Sequence, residues 1–162
     1  MKTKTRSKIL AFVLSVMMVI TFTPSFAFAG IAEGPDDPNA VVSLTHDGVT
    51  TYYDSFGTGD PADPGALDAA VDGDTVKLLA NINLTGNYDA YRAINIDKSI
   101  TVDGNNKTIT IGSQAPRGIA VGAGLSSDIS VKFKDLTIVN STNGARCIDT
   151  RGNIGQLDLE NV

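Results

Sequence analysis

From Thr75 onward, apolar and polar positions alternate in short bursts separated by Gly, Asn and Asp. The bursts are VKLL (76–79), INL (82–84), AINI (93–96), SITV (99–102), TITI (108–111), GIAV (118–121), ISVKF (129–133), LTIV (136–139), CID (147–149) and QLDL (156–159). Alternation with period two marks strands that bury one face. Runs this short are too small for a sandwich core but fit the sides of a solenoid coil.

The bursts also repeat. Ile100-Thr101-Val102-Asp103-Gly104, Val131-Lys132-Phe133-Lys134-Asp135 and Leu157-Asp158-Leu159-Glu160-Asn161 share one frame, apolar-x-apolar-polar-(Gly/Asp/Asn), at spacings of 31 and 26 residues. A following burst, Thr108-Ile109-Thr110, matches Thr137-Ile138-Val139. A preceding one, Ala93-Ile94, recurs as Gly118-Ile119 and Cys147-Ile148, at 25 and 29 residues. Three strands per turn with variable loops predict an all-β parallel β-helix of about three coils. Ile94, Ile100, Val102, Ile109, Ile119, Val131, Phe133, Ile138, Ile148, Leu157 and Leu159 are then expected to point inward and stack in ladders, with Val102 beside Phe133.

Upstream of the coils the pattern differs. Ala40–Thr45 and Val49–Tyr53 are β-prone runs around the turn His46-Asp47-Gly48, which predicts a hairpin. Residues 66–71 are the one convincing helix former, too short to stand alone. Their apolar face, Leu67, Ala70 and Val71, suits a plug over the first coil, whose interior would otherwise be wet. The division expected is signal peptide 1–29, linker 30–39, hairpin and capping helix 40–74, and coils 75–162. Val162 aligns with Leu136, so the chain is expected to break off in mid-coil, within a longer natural protein.

The signal peptide rests on a basic start (Lys2, Lys4, Arg6, Lys8), a 14-residue run from Ile9 to Phe22 that is apolar save for Ser15 and Thr21, and Ala27-Phe28-Ala29. The run is short of the roughly 20 residues of a membrane span. The expected location is therefore extracellular, secreted or at the cell surface. Residues 30–162 hold 9 Lys and Arg against 18 Asp and Glu, a net charge of −9. That balance argues against nucleic acid and against anionic lipid as partners. The acidic residues are 16 Asp but only 2 Glu, with 11 Asn and all 16 Gly, a turn-former's composition that excludes a helix bundle. Cys147 is the only cysteine, so no internal disulfide forms.

DGDTVKLLANINL followed by INIDKSITVDGNNKTITI resembles the opening of right-handed parallel β-helix domains, of pectate-lyase-like fold, in secreted bacterial surface proteins. In such proteins a segment like residues 66–74 is the short helix over the first coil, and a hairpin often precedes it. The resemblance implies one of two roles. The first is a non-catalytic module for adhesion, display or glycan binding, with polysaccharide or a host or cell-wall surface as partner. The second is the N-terminal part of a polysaccharide lyase or glycoside hydrolase whose active site lies beyond residue 162.

Candidate chemistry is sparse, and no catalytic residue is assigned. Arg146, Asp149 and Arg151 form the best local cluster: two guanidinium groups suited to a carboxylated sugar, with a carboxylate partner. The alternative is a solvated strand whose charges pair. Tyr88, Tyr91 and Arg92 lie in one loop that is a candidate ligand-facing lip. Calcium is conceivable at Asp60 with Asp63, Asp72 with Asp74, or Asp103 with Asn105, but none has the spacing that gathers six or more oxygens. No metal or other cofactor is therefore assigned. Asx turns explain these pairs better. His46 reads as a plain turn residue, and Cys147 as a small buried residue.

Overall fold

The computed structural model describes residues 31–32, 34–58, 65–85, 87–112 and 115–162. The signal-peptide reading of residues 1–29, and the candidates Asp60 and Asp63, lie outside them. Among the described residues, no helix is long and apolar enough to cross a membrane.

The described chain is a parallel β-solenoid of about three turns with one short helix. Its elements are β1 (Ile31–Ala32), β2 (Val42–His46), β3 (Val49–Tyr53), α1 (Ala66–Ala69), β4 (Thr75–Leu78), β5 (Ile82–Leu84), β6 (Ile94–Ile96), β7 (Thr101–Ile111), β8 (Ile119–Val121), β9 (Ile129–Asn140), β10 (Ile148–Asp149) and β11 (Ile154–Glu160). Strands β4, β7, β9 and β11 stack in parallel along one side, and β5 joins the second half of β7. Strands β6, β8 and β10 form a separate parallel sheet, here called the back sheet.

The predicted frame holds. Val102 pairs with Phe133, Phe133 with Leu159, Ile109 with Ile138, and Ile119 with both Ile94 and Ile148. Alternation sends these residues inward, where a continuous apolar column supplies the main driving force for folding. Phe133 is among the largest fully buried side chains. Four inward expectations are met only in register. Ile138, Ile148 and Leu157 are half-buried and Leu159 is 55% exposed; the last three lie on β10 and β11, which have no strand on their far side among the described residues.

The long strands β7 and β9 each bend mid-course, giving the coil its third side. Asn105, Asn106, Asp135 and Asn161 have φ between 48° and 60°, the left-handed region that Asn and Asp tolerate. The Asn161 amide donates to Asp135 Oδ1 of the preceding coil at 2.9 Å, and the Asn105 amide donates to Leu78 O at 3.2 Å. The corners are therefore tied to one another as well as to their own strands. Gly104 sits at the same bend because a Cβ there would come within 2.4 Å of Asp135 O.

The N-terminal side is closed by two devices. Hairpin β2–β3 pairs antiparallel along β4, with Val42 opposite Leu78 and Leu44 opposite Val76, so the first coil has no open edge there. Strand β1, from the stretch read as linker, extends this hairpin by pairing with β3. Helix α1 buries Ala66 and Leu67, and Ala70 is buried just beyond it. Val71 does not belong to that plug. Ala70 is already extended (φ −64°, ψ 150°), and the Val71 N–H is taken by Asp74 Oδ2 at 2.9 Å, which leaves the Val71 side chain 48% exposed.

Candidate functional site

The back sheet faces the core with Ile94, Ile96, Ile119 and Val121. Its other face carries Asn95, Ala120 and Asp149 in one register column. Outward positions of a solenoid are ordinarily wet, yet these three are 4%, 0% and 5% exposed. Arg146 and Arg151 reach Asp149, and Arg92 and Arg117 line a recess beside it.

Those arginines come from one position in the repeat. Arg92, Arg117 and Arg146 each stand immediately before the frame residues Ala93, Gly118 and Cys147. Backbone hydrogen bonds lock that alignment: Ala93 N–H to Gly118 O, Ile119 N–H to Cys147 O, and Arg117 N–H to Tyr91 O, each at 2.9 Å. The three arginines thus occupy equivalent places on successive coils, about 4.8 Å of rise apart. Arg151 follows from the corner after β10. Every arginine beyond position 6 belongs to this group, in a chain whose net charge is −5.

Local contacts aim each side chain. Asp89 Oδ1 accepts from the Tyr91 and Arg92 N–H groups at 2.7 and 2.8 Å, an Asx turn, and its Oδ2 lies 3.2 Å from Arg92 Nη1. Gly118 has φ +59°, and a Cβ there would meet Cys147 O at 2.4 Å, so only glycine lets Arg117 leave the strand at this point. The Arg117 guanidinium lies 4.6 Å from the centroid of the Tyr91 ring. Arg151 donates from Nε and Nη2 to the two oxygens of Asp149 at 2.8 and 3.1 Å, and Arg146 Nη1 lies 3.9 Å from the same carboxylate.

Arg151's fork holds the Asp149 carboxyl below the usual carboxylate range, against the burial that raises it, with Arg146 and Arg117 adding to the effect. Asp149 is therefore ionised at neutral pH and fixes Arg151 in place. Stacked like charges ordinarily destabilise a sheet. Here four guanidinium groups face two carboxylates, Asp89 and Asp149, so positive charge remains in excess.

Arg92, Arg117, Asp149 and Arg151 line a recess of about 180 Å³ together with Ala123, Gly124 and Gly152. Among the described residues, the two buried side-chain polar atoms without a hydrogen-bond partner are Arg92 Nε and Asn95 Oδ1. Both belong here: Arg92 lines the recess, and Asn95 Nδ2 donates to Ala123 O at 3.4 Å.

Of the residues singled out from sequence, Arg92, Arg146, Asp149 and Arg151 come together, and Tyr91 joins them through Arg117. Tyr88 does not line the recess. It is half-buried at the foot of the loop, with its N–H bonded to Ala93 O at 3.2 Å. Arg117 was missed. The repeat frame contains its signal, since it precedes Gly118-Ile119 as Arg92 precedes Ala93-Ile94.

Other candidates have structural partners. Asp103 Oδ1 caps the Asn105 N–H at 2.9 Å, and its Oδ2 lies 3.0 Å from Lys134 Nζ. Asp72 Oδ1 accepts from Ser99 N–H at 2.7 Å. His46 is more than a turn residue. Its Nδ1 lies 2.7 Å from Oδ1 of Asp74, whose side chain is 3% exposed, so it fastens the hairpin to the start of β4. Cys147 is half-buried, with Sγ 3.5 Å from Ile138 O. Among the described residues, no group of three or more His, Cys, Asp or Glu side chains is placed to hold a metal ion. Compared with protein-family models, curated proteins and solved structures, the chain finds no match.

Proposed function

We propose that this chain is a non-catalytic β-solenoid module, secreted or displayed at the cell surface, that binds acidic glycan through the column of arginines that precedes the strands of its back sheet. The observation that carries the reading is the arginine column Arg92, Arg117 and Arg146. One guanidinium per coil, repeated along a rigid stack, matches a polymer that carries charge at regular intervals, and Arg suits oxyanions because its donors form a planar fork. The sequence pattern of a signal peptide and the resemblance to surface β-helix domains support an extracellular setting.

The test is a polysaccharide binding panel with the purified chain, read by surface plasmon resonance, with polymer length followed by size-exclusion chromatography. The expected result is salt-sensitive binding to acidic polymers with no shortening of the polymer. Arg146→Gln should weaken that binding. Equal binding of neutral polymers by wild type and Arg146→Gln would overturn the site. Progressive shortening of a bound polymer would overturn the non-catalytic reading.

A further inference from the structure

Within this site the recess has a narrower chemistry than the column as a whole. Its volume, about 180 Å³, is below the roughly 300 Å³ at which ordinary small-molecule pockets begin, so it holds one charged substituent and not a run of sugar rings. Asp149 shows what one planar carboxylate requires here, because a single arginine fork, Arg151, satisfies both its oxygens. The donors still available come from two further arginines on successive coils. Arg92 lines the recess with its Nη1 shared with Asp89 alone, and Arg117 is stacked on Tyr91 with no carboxylate partner among the described residues. Arg forks pair with carboxylate and with phosphate alike, but two guanidinium groups from separate coils can each take a different oxygen of a tetrahedral group, which has three to offer where a carboxylate has two.

We infer that the recess between Arg92, Arg117 and Arg151 is a subsite for a tetrahedral oxyanion, a sulfate or phosphate ester borne on a glycan. Asp149 positions Arg151 by the bidentate pair. The Arg92 guanidinium donates to one ester oxygen and Arg117 to another. Tyr91 supports Arg117 from beneath its guanidinium plane. The inference rests on the reading that this face meets acidic glycan, and it goes further by naming the charged group.

The experiment holds the polymer constant and varies only the substituent. Dextran, carboxymethyl dextran, dextran sulfate and dextran phosphate, the charged ones matched in charge density, are titrated onto the full chain at fixed salt. Sulfated or phosphorylated dextran should bind about ten-fold more tightly than carboxymethyl dextran, and Arg92→Gln and Arg117→Gln should each remove about that factor. The sulfate and phosphate arms identify the source of the oxyanion. Arg117→Lys retains charge without the fork and should recover less than half of the loss. Lys77→Gln, on β4 away from the recess, should change nothing, which excludes simple charge attraction. Circular dichroism of each variant checks the fold. Equal affinity for carboxymethyl dextran, with Arg146→Gln still weakening binding, would overturn the oxyanion subsite and leave the acidic-glycan reading intact. No binding to any charged dextran, together with a negative polysaccharide panel, would overturn both.

Discussion

Phe133→Ala tests the coil register more directly than any other single change. Phe133 is 1% exposed and pairs with Val102 on one side and Leu159 on the other. Truncating a buried Phe costs about 3–5 kcal/mol, and the lower end applies because Leu159 above it is half open to solvent and can settle into the gap. Val102→Ala removes two methyl groups' worth of burial and costs roughly 2 kcal/mol. Since the two side chains share one contact surface, the double variant should cost about 1 kcal/mol less than the sum. Val42 provides the control. It lies three strand pairings from Phe133, across β2, β4, β7 and β9, a separation of about 14 Å, so Val42→Ala and Phe133→Ala should add to within about 0.5 kcal/mol. Urea denaturation with far-UV circular dichroism gives all four corners of each cycle. A domain of this size is stable by about 5–15 kcal/mol, so Phe133→Leu can replace Phe133→Ala if the double variant does not fold. Additivity of Val102 with Phe133, or equal coupling of Val42 with Phe133, would refute the stacking of β7 on β9.

Two further changes probe the N-terminal closure. Leu67→Asp places a carboxylate at a position 2% exposed and should lower stability by about 3 kcal/mol or more, whereas Val71→Asp, at a position 48% exposed, should stay within about 0.5 kcal/mol; thermal melting separates them, and equal losses would return Val71 to the plug. His46 is raised above 6.5 chiefly by its hydrogen bond to Asp74, so the folded state favours imidazolium. The contribution is complete below the unfolded value and is lost as pH rises through the raised folded value; His46→Gln should therefore melt below wild type at about pH 5.5 and approach it at about pH 9, and a gap that widens with pH would refute the pairing.

Much of this architecture is local, and local order is legible. The apolar residues Val102, Phe133 and Leu159 recur in one frame, and Asn or Asp stands where the backbone must turn left-handed. A solenoid repeats one coil, so the frame that aligns two strands aligns the corners and flanking residues as well. Even Arg117 was readable there, because its place before Gly118 matches that of Arg92 before Ala93.

What the frame does not contain is contact between parts that do not repeat. His46 reaches Asp74 only because the hairpin folds back antiparallel along β4. Val71 leaves the plug because Asp74 takes its N–H and ends the helix early. Arg151 turns back two residues to grip Asp149, and that pair, not the spacing of the charges, decides which guanidinium groups remain free. The repeat determined which residues share a column, since strand pairing transmits one register from coil to coil. Packing in three dimensions decided which side chains in those columns are buried, paired or left with an open hydrogen bond, because loop lengths differ between coils and each loop must settle over the sheet separately.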